Sequence, residues 1–136
     1  MVDRGITHIA LAVKDVDASI SFYQKYANVQ VVHRRSDSTT QSDVAWIGDS
    51  IHPFVIVLIG NSQVKSPLLP ESHIGVVYET REQIDRLCKI ARTEGILIKG
   101  PTDSPPPVGY WAYIQDPDNH TLEISYGQNV ESVIKS

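Results

Sequence analysis

The chain repeats itself at half its length. THIALAVKD at 7–15 aligns with SHIGVVYET at 72–80. Each copy has a small polar residue, then His-Ile, then an apolar run with strand character, and each is followed by a helical pattern. His8 and His73 lie 65 positions apart in a chain of 136 residues. Similarity at that period indicates two copies of one supersecondary unit, so a fold proposed for one half must serve the other.

Both halves show the same order of elements. In the first, 6–13 reads as a strand and 16–26 as a helix opened by Asp15 or Asp17. Residues 29–35, 44–48 and 54–59 read as three further strands. In the second, 73–78 is a strand, and Thr80-Arg-Glu-Gln83 matches a capping box ahead of a helix. Ile84, Leu87, Cys88 and Ala91 recur at helical spacing, and Gly95 is placed to end that helix. Strands are expected at 96–99, 110–115 and 121–126, the last two joined by an Asp116-Pro-Asp-Asn119 turn. Each half is therefore β-α-β-β-β, at 5–60 and 71–127. The segment 60–71, marked by Gly60, Asn61, Pro67 and Pro70, connects them. Residues 100–109, with Pro101 and Pro105–Pro107, are expected to form a stiff loop, and the tail after Gly127 to be polar and frayed.

Alternation along these strands gives the first chemical clue, because residues two apart share a face. Ile9, Leu11 and Val13 oppose His8, Ala10 and Ala12. Ile74, Val76 and Tyr78 oppose His73, Gly75 and Val77. Leu122, Ile124 and Tyr126 oppose Thr121, Glu123 and Ser125. The bulky faces suit packing under helices. The other faces carry His8, His73 and Glu123 beside small neighbours that leave room for a cavity. Two imidazoles and a carboxylate on one face of an octahedron leave three positions open, a set suited to Fe(II) and also to Mn(II), Zn(II), Ni(II) or Co(II). A strand histidine is more often a hydrogen-bonded core residue. The equivalence of the two histidines, and the cost of a carboxylate on a buried sheet face, weigh toward ligands.

Composition narrows the partners. A formal charge of −4 argues against nucleic acid or an anionic membrane surface. No run approaches the length of a membrane span, and the apolar run near the N-terminus is too short for a signal peptide. The lone Cys88 excludes an internal disulfide and fits a reducing cytoplasm. A cytoplasmic protein acting on a small molecule is expected.

Over about residues 5–127 the chain resembles the vicinal oxygen chelate superfamily, the glyoxalase, bleomycin-resistance and dioxygenase group. The resemblance is carried by THIALAVKDVDASISFYQKY, SHIGVVYETREQIDRL and GYWAYIQDPDNHTLEISYG. The last stretch is the most specific, with aromatics before an Asp-Pro-Asp turn and a strand Glu seven positions beyond the first Asp. The resemblance implies an α+β fold in which two βαβββ modules form a cupped mixed sheet with helices on the outer face and a metal inside. Its ligand positions fall on His8, His73 and Glu123. Short members commonly form homodimers, some exchanging modules so that His8 would come from one chain and His73 and Glu123 from the other.

The branches of the family differ. Lactoylglutathione lyases carry a fourth ligand on the last strand of the first module, where this chain has Val57 or Leu58. Bleomycin-type binders usually lack the triad. Fosfomycin thiol transferases need a basic phosphonate pocket, yet 100–134 contains no Lys or Arg. Extradiol ring-cleaving dioxygenases fit better. They have a tyrosine ten positions before the Glu, matched by Tyr113, and a histidine near the start of the fourth strand, matched by His52. Their usual histidine before that tyrosine is missing from PTDSPPPVG, and His52, preceding Pro53, also reads as an exposed loop residue. The expected function is a divalent-metal enzyme acting on a small oxygen-rich substrate, in the manner of an extradiol dioxygenase. The alternative is a non-catalytic binder of small molecules or antibiotics. His33 and His120 read as surface or turn residues, Cys88 as core, and Phe22, Tyr23 and Tyr26 as helix packing. Trp46 and Trp111 either line the pocket or support it.

Overall fold

The computed structural model describes residues 2–39, 41–60 and 63–136. The chain divides into two compact units, Met1–Ser66 and Pro67–Ser136. The first contains β1 (His8–Ala12), α1 (Val16–Ala27), β2 (Gln30–Ser36), β3 (Asp43–Gly48) and β4 (Val55–Ile59). The second contains β5 (His73–Tyr78), α2 (Arg81–Glu94), β6 (Leu97–Ser104), β7 (Gly109–Gln115), β8 (Thr121–Tyr126) and a short terminal α3 (Val130–Lys135). Each unit holds one four-stranded sheet, ordered β1-β4-β3-β2 in the first and β5-β8-β7-β6 in the second. In both, the first and last strands pair in parallel and the remaining pairs are antiparallel. This is the βαβββ arrangement of the repeat.

The helices form where the sequence supplies caps. The Asp15 side chain accepts from the Ala18 N–H, and Asn28 ends α1 in the left-handed region. Thr80 and Gln83 form the complete capping box of α2, and Gly95 closes it at φ 76°. α1 buries Val16, Ile20, Phe22, Tyr23 and Tyr26. α2 buries Ile84, Leu87, Cys88 and Ala91. Against them lie the bulky strand residues: Ile47, Ile56 and Leu58 in the first unit, Ile114, Leu122 and Ile124 in the second, all buried. Burying this apolar surface is the main favourable term in holding each helix to its sheet.

Two segments depart from the sequence expectation. β6 continues through Pro101 to Ser104, so the expected loop at 100–109 shrinks to four residues between β6 and β7. An edge strand tolerates proline because its N–H need not join a ladder. The register shifts between Lys99 and Thr102, around Gly100-Pro101. Gly100 is required there: its φ is +98°, and a β-carbon would meet the Trp111 carbonyl oxygen at 2.8 Å. The tail after Gly127 also has structure. Asn129 caps α3 through the Ser132 N–H, and its own N–H donates to the Pro107 carbonyl. No α3 residue is buried.

The connection returns across the second unit. The Leu68 carbonyl accepts the Thr121 N–H at 2.6 Å. His120 receives the Leu68 N–H on Nδ1 at 2.9 Å. Its own backbone N–H donates to Asp116 Oδ1. His120 is therefore in the turn, as expected, but only 2% exposed. The surface reading fails because its ring serves the incoming segment. His33 is exposed on β2, with its ring 4.8 Å from Trp46. Asn61, read as part of the connection, lies outside the described residues.

Two substitutions test this account. Thr80→Ala removes the side-chain half of the α2 cap and is expected to lower unfolding free energy by about 1 kcal/mol in urea titration. His120→Ala strands the Leu68 N–H and is expected to cost about 1–3 kcal/mol by the same measurement.

Candidate metal and substrate site

Parallel pairing of β5 with β8 sets the geometry of the second unit. His73 lies opposite Thr121 and Gly75 opposite Glu123. β7 flanks β8 on its other side, with Tyr113 opposite Glu123 and Trp111 opposite Ser125. His73, Glu123 and Tyr113 thus share the sheet face away from α2. Gly75 leaves the space beside the carboxylate, since a β-carbon there would stand 3.3 Å from Glu123 Oε2.

Glu123 is only 7% exposed. Burial pushes its carboxyl above the ordinary range, opposed by the nearby His73 and by a hydrogen bond from the Gln128 side chain. Ser125, on the same face, satisfies its hydroxyl on the Val76 carbonyl. The buried Thr121 hydroxyl has no hydrogen-bond partner among the described residues. A carboxylate that gives up water for so few partners is costly to a protein unless a cation joins it.

His73 is already oriented for that role. Its Nδ1 lies 2.7 Å from the Pro70 carbonyl oxygen. A carbonyl only accepts, so Nδ1 carries a proton and Nε2 is the nitrogen turned toward any ligand bond. Metal-binding histidines are fixed by this kind of bond. In the first unit, His8 begins β1 opposite Val55, and its Nδ1 pairs with Thr7 Oγ at 2.9 Å. Its Nε2 is the nitrogen left over, as in His73. Among the described residues, no three His, Cys, Asp or Glu side chains gather into a metal cluster.

The register also identifies the first-unit counterpart of Glu123, for which the sequence offers Val57 or Leu58. His8 and His73 begin equivalent strands, Ala10 pairs with Val57, and Gly75 pairs with Glu123. Val57 is therefore the counterpart of Glu123. By the same rule Trp46, opposite Val57, is the counterpart of Tyr113.

Beside the His73–Tyr113–Glu123 wall lies a cavity of about 380 Å³, lined by Pro70, Glu71, Ile98, Lys99, Trp111 and Tyr113. Tyr113 belongs to both, its ring 5.0 Å from His73 and 4.8 Å from Trp111. Trp111 is pinned by its indole N–H donating to Ser104 Oγ. Burial, with the charges of Glu123 and Glu71, raises the Tyr113 phenol, which keeps its proton near neutrality.

Residues 5–124 match the Glyoxalase/Bleomycin resistance protein/Dioxygenase superfamily. The chain belongs to this superfamily. An uncharacterized protein of Pseudomonas aeruginosa is 34% identical over 126 residues, covering 90% of this chain and 89% of that one. Among solved structures, the fosfomycin resistance protein FosX of Listeria monocytogenes, complexed with Mn(II) and 1S,2S-dihydroxypropylphosphonic acid, aligns with a TM-score of 0.70. It is 23% identical, over 98% of this chain and 99% of that one. A trypanothione-dependent glyoxalase I of Leishmania major aligns with a TM-score of 0.71 at 21% identity, over 98% and 94%. At these identities the structural likeness establishes the fold of a superfamily member.

The other expected site residue, His52, belongs to the first unit. It lies in the turn before β4 with its side chain 74% exposed and its Nδ1 2.6 Å from Asp49 Oδ2. Burial pulls the Asp49 carboxyl up, but the His52 backbone and ring and the Ile51 N–H outweigh it, leaving Asp49 below its ordinary value. Lys99, Glu71 and Pro70 were not anticipated from sequence. Lys99 is the last cation before the cation-free stretch 100–134, a usable hint. Its position opposite Tyr113 depends on the irregular β6 register.

Glu123→Gln separates the two roles of this carboxylate. A folded-state pKa raised by burial means that the charged form, populated as pH rises through that pKa, costs stability. In chelator-treated protein at neutral pH, Glu123→Gln is expected to raise the melting temperature. The gain should vanish at a pH below the ordinary carboxylate range. Equal melting temperatures at both pH values would show that the carboxylate is adequately solvated.

Proposed function

We propose that the chain is a divalent-metal-dependent enzyme acting on a small oxygen-rich molecule, with His8, His73 and Glu123 as the metal ligands. The burial of Glu123 beside His73, with Gly75 keeping the space open, carries this reading. The Nδ1 bond of His73 to the Pro70 carbonyl supports it by leaving Nε2 for a ligand bond, and Thr7 holds the His8 ring by its Nδ1. The FosX complex with Mn(II) and a vicinal diol lends analogy for both metal and substrate class.

Bound there, a divalent cation would supply Lewis acidity to paired substrate oxygens. The chain's own groups do the rest. Pro70 and Thr7 hold the imidazoles in place. Tyr113, protonated, donates a hydrogen bond to a substrate oxygen near Glu123. His52, its ring held by Asp49, serves as proton carrier in the dioxygenase form of the proposal. Fe(II) is the metal of that form, and Mn(II), Zn(II), Ni(II) and Co(II) suit the same donors. The protein is proposed to work in the cytoplasm as a homodimer. Among the described residues no helix is long and apolar enough to cross a membrane.

Calorimetric titration of chelator-treated protein with Mn(II), and anaerobically with Fe(II), tests the ligand assignment. Wild type is expected to bind one ion per chain, and a hundredfold excess over Kd to stabilise it by about 2.7 kcal/mol. Glu123→Gln and His73→Ala should abolish binding, and Gly75→Val should weaken it by crowding the carboxylate. Oxygen uptake with a catechol panel then tests the dioxygenase form. Tight retention of small molecules with no metal bound by wild type would favour the non-catalytic binder instead.

A further inference from the structure

We infer that the cavity beside Tyr113 selects a substrate bearing an anionic group on a planar apolar body, the charge held by Lys99 and the body by Trp111 and Ile98. The inference rests on the reading above in taking this cavity as the substrate chamber of the metal site.

The wall is mainly apolar, with two charged residues, Lys99 and Glu71. They do not pair with each other, and Lys99 makes no ion pair among the described residues. Its ammonium instead rests 5.4 Å from the Trp111 ring centroid. An indole face attracts a cation but takes no hydrogen bond from its N–H groups of the strength a carboxylate offers. Lys99 is therefore held in position with donors still available. Glu71 lines the same cavity and brings the opposite sign to it. An anion is thus directed to Lys99 and away from Glu71.

The body of the ligand follows from the remaining wall. Ile98, Trp111 and Pro70 offer flat or aliphatic surface, and Trp111 is fixed by Ser104. A volume of about 380 Å³ falls at the small end of ligand pockets and suits one ring with its substituents. The aromatic sequence Trp111–Tyr113–His73 links this cavity to the Glu123 wall. A ring lying along it would reach toward the proposed metal ligands with the end opposite its charge. Two β6 neighbours supply the selectivity: Ile98 the apolar surface, Lys99 the charge.

Benzoate and benzamide test the inference, being nearly the same shape but differing in charge, and neither has vicinal oxygens. Each is titrated calorimetrically into chelator-treated, full-length protein at low salt. Benzoate is expected to bind at least about tenfold more tightly, about 1.4 kcal/mol. Lys99→Gln should abolish the difference by weakening benzoate alone, and Lys99→Arg should retain it. An unchanged melting temperature in the variants excludes misfolding. Equal binding of the two probes by wild type, a preference that survives Lys99→Gln, or no binding of either at millimolar concentration would each overturn the inference. Because the assay contains no metal, the charge preference can stand where the metal assignment fails, and the reverse.

Discussion

The parallel pairing of the first and last strand in each unit is the constraint on which the rest depends. Two parallel neighbours cannot be joined by a hairpin, so the chain must travel away and return. In each unit that return is a capped helix followed by two antiparallel strands. The helix covers one face of the sheet. The opposite face is left for residues that do not need apolar cover, and β5–β8 pairing places His73, Gly75 and Glu123 together there.

The repeat makes the two units comparable position by position, and their differences are informative. Val57 stands where the second unit has Glu123, and Trp46 where it has Tyr113. The His33 ring, opposite Trp46, packs on it, whereas Lys99, opposite Tyr113, rests over Trp111. The first unit thus keeps a histidine and an aromatic surface but no carboxylate. Arg35 lies over the Trp46 ring there, and a second buried carboxylate at position 57 would carry its own desolvation cost.

Much of this was legible in the sequence where a residue acts locally. Asp15, Thr80, Gln83 and Gly95 announce helix ends through bonds to their own backbone neighbourhood, and the structure places them there. Alternation put His73 and Glu123 each on the strand face opposite the bulky apolar residues, and β5–β8 pairing joins those faces. What could not be read depends on partners distant in sequence. Pro101 looked like a strand breaker because nothing nearby reveals that β6 is an edge strand. His120 was legible as a turn residue but not as a buried one, because its partner, Leu68, lies 52 residues earlier. Lys99 looked like the end of a short strand because its opposition to Tyr113 depends on the register shifts flanking it. The helix at 130–135 has Val130, Val133 and Ile134 at helical spacing, but over six residues that pattern is too short to announce a helix, and none of the three is buried.

The ligand count bears on the chemistry. On the proposed set, two imidazoles and one carboxylate occupy three positions of an octahedron and leave three. Two neighbouring substrate oxygens would fill two of these and leave one open. A carboxylate at position 57 would take one of the three and add a second negative charge. An incoming substrate with anionic oxygens would then meet a more electron-rich site with fewer places to bind. Val57 avoids both effects, since it can neither ligate nor repel. The same argument explains why a cation outside the ligand set is useful. A site that receives an anionic substrate gains from a positive charge that the metal's own carboxylate does not neutralise, and Lys99, unpaired with any described carboxylate, is placed in the adjoining cavity to supply it.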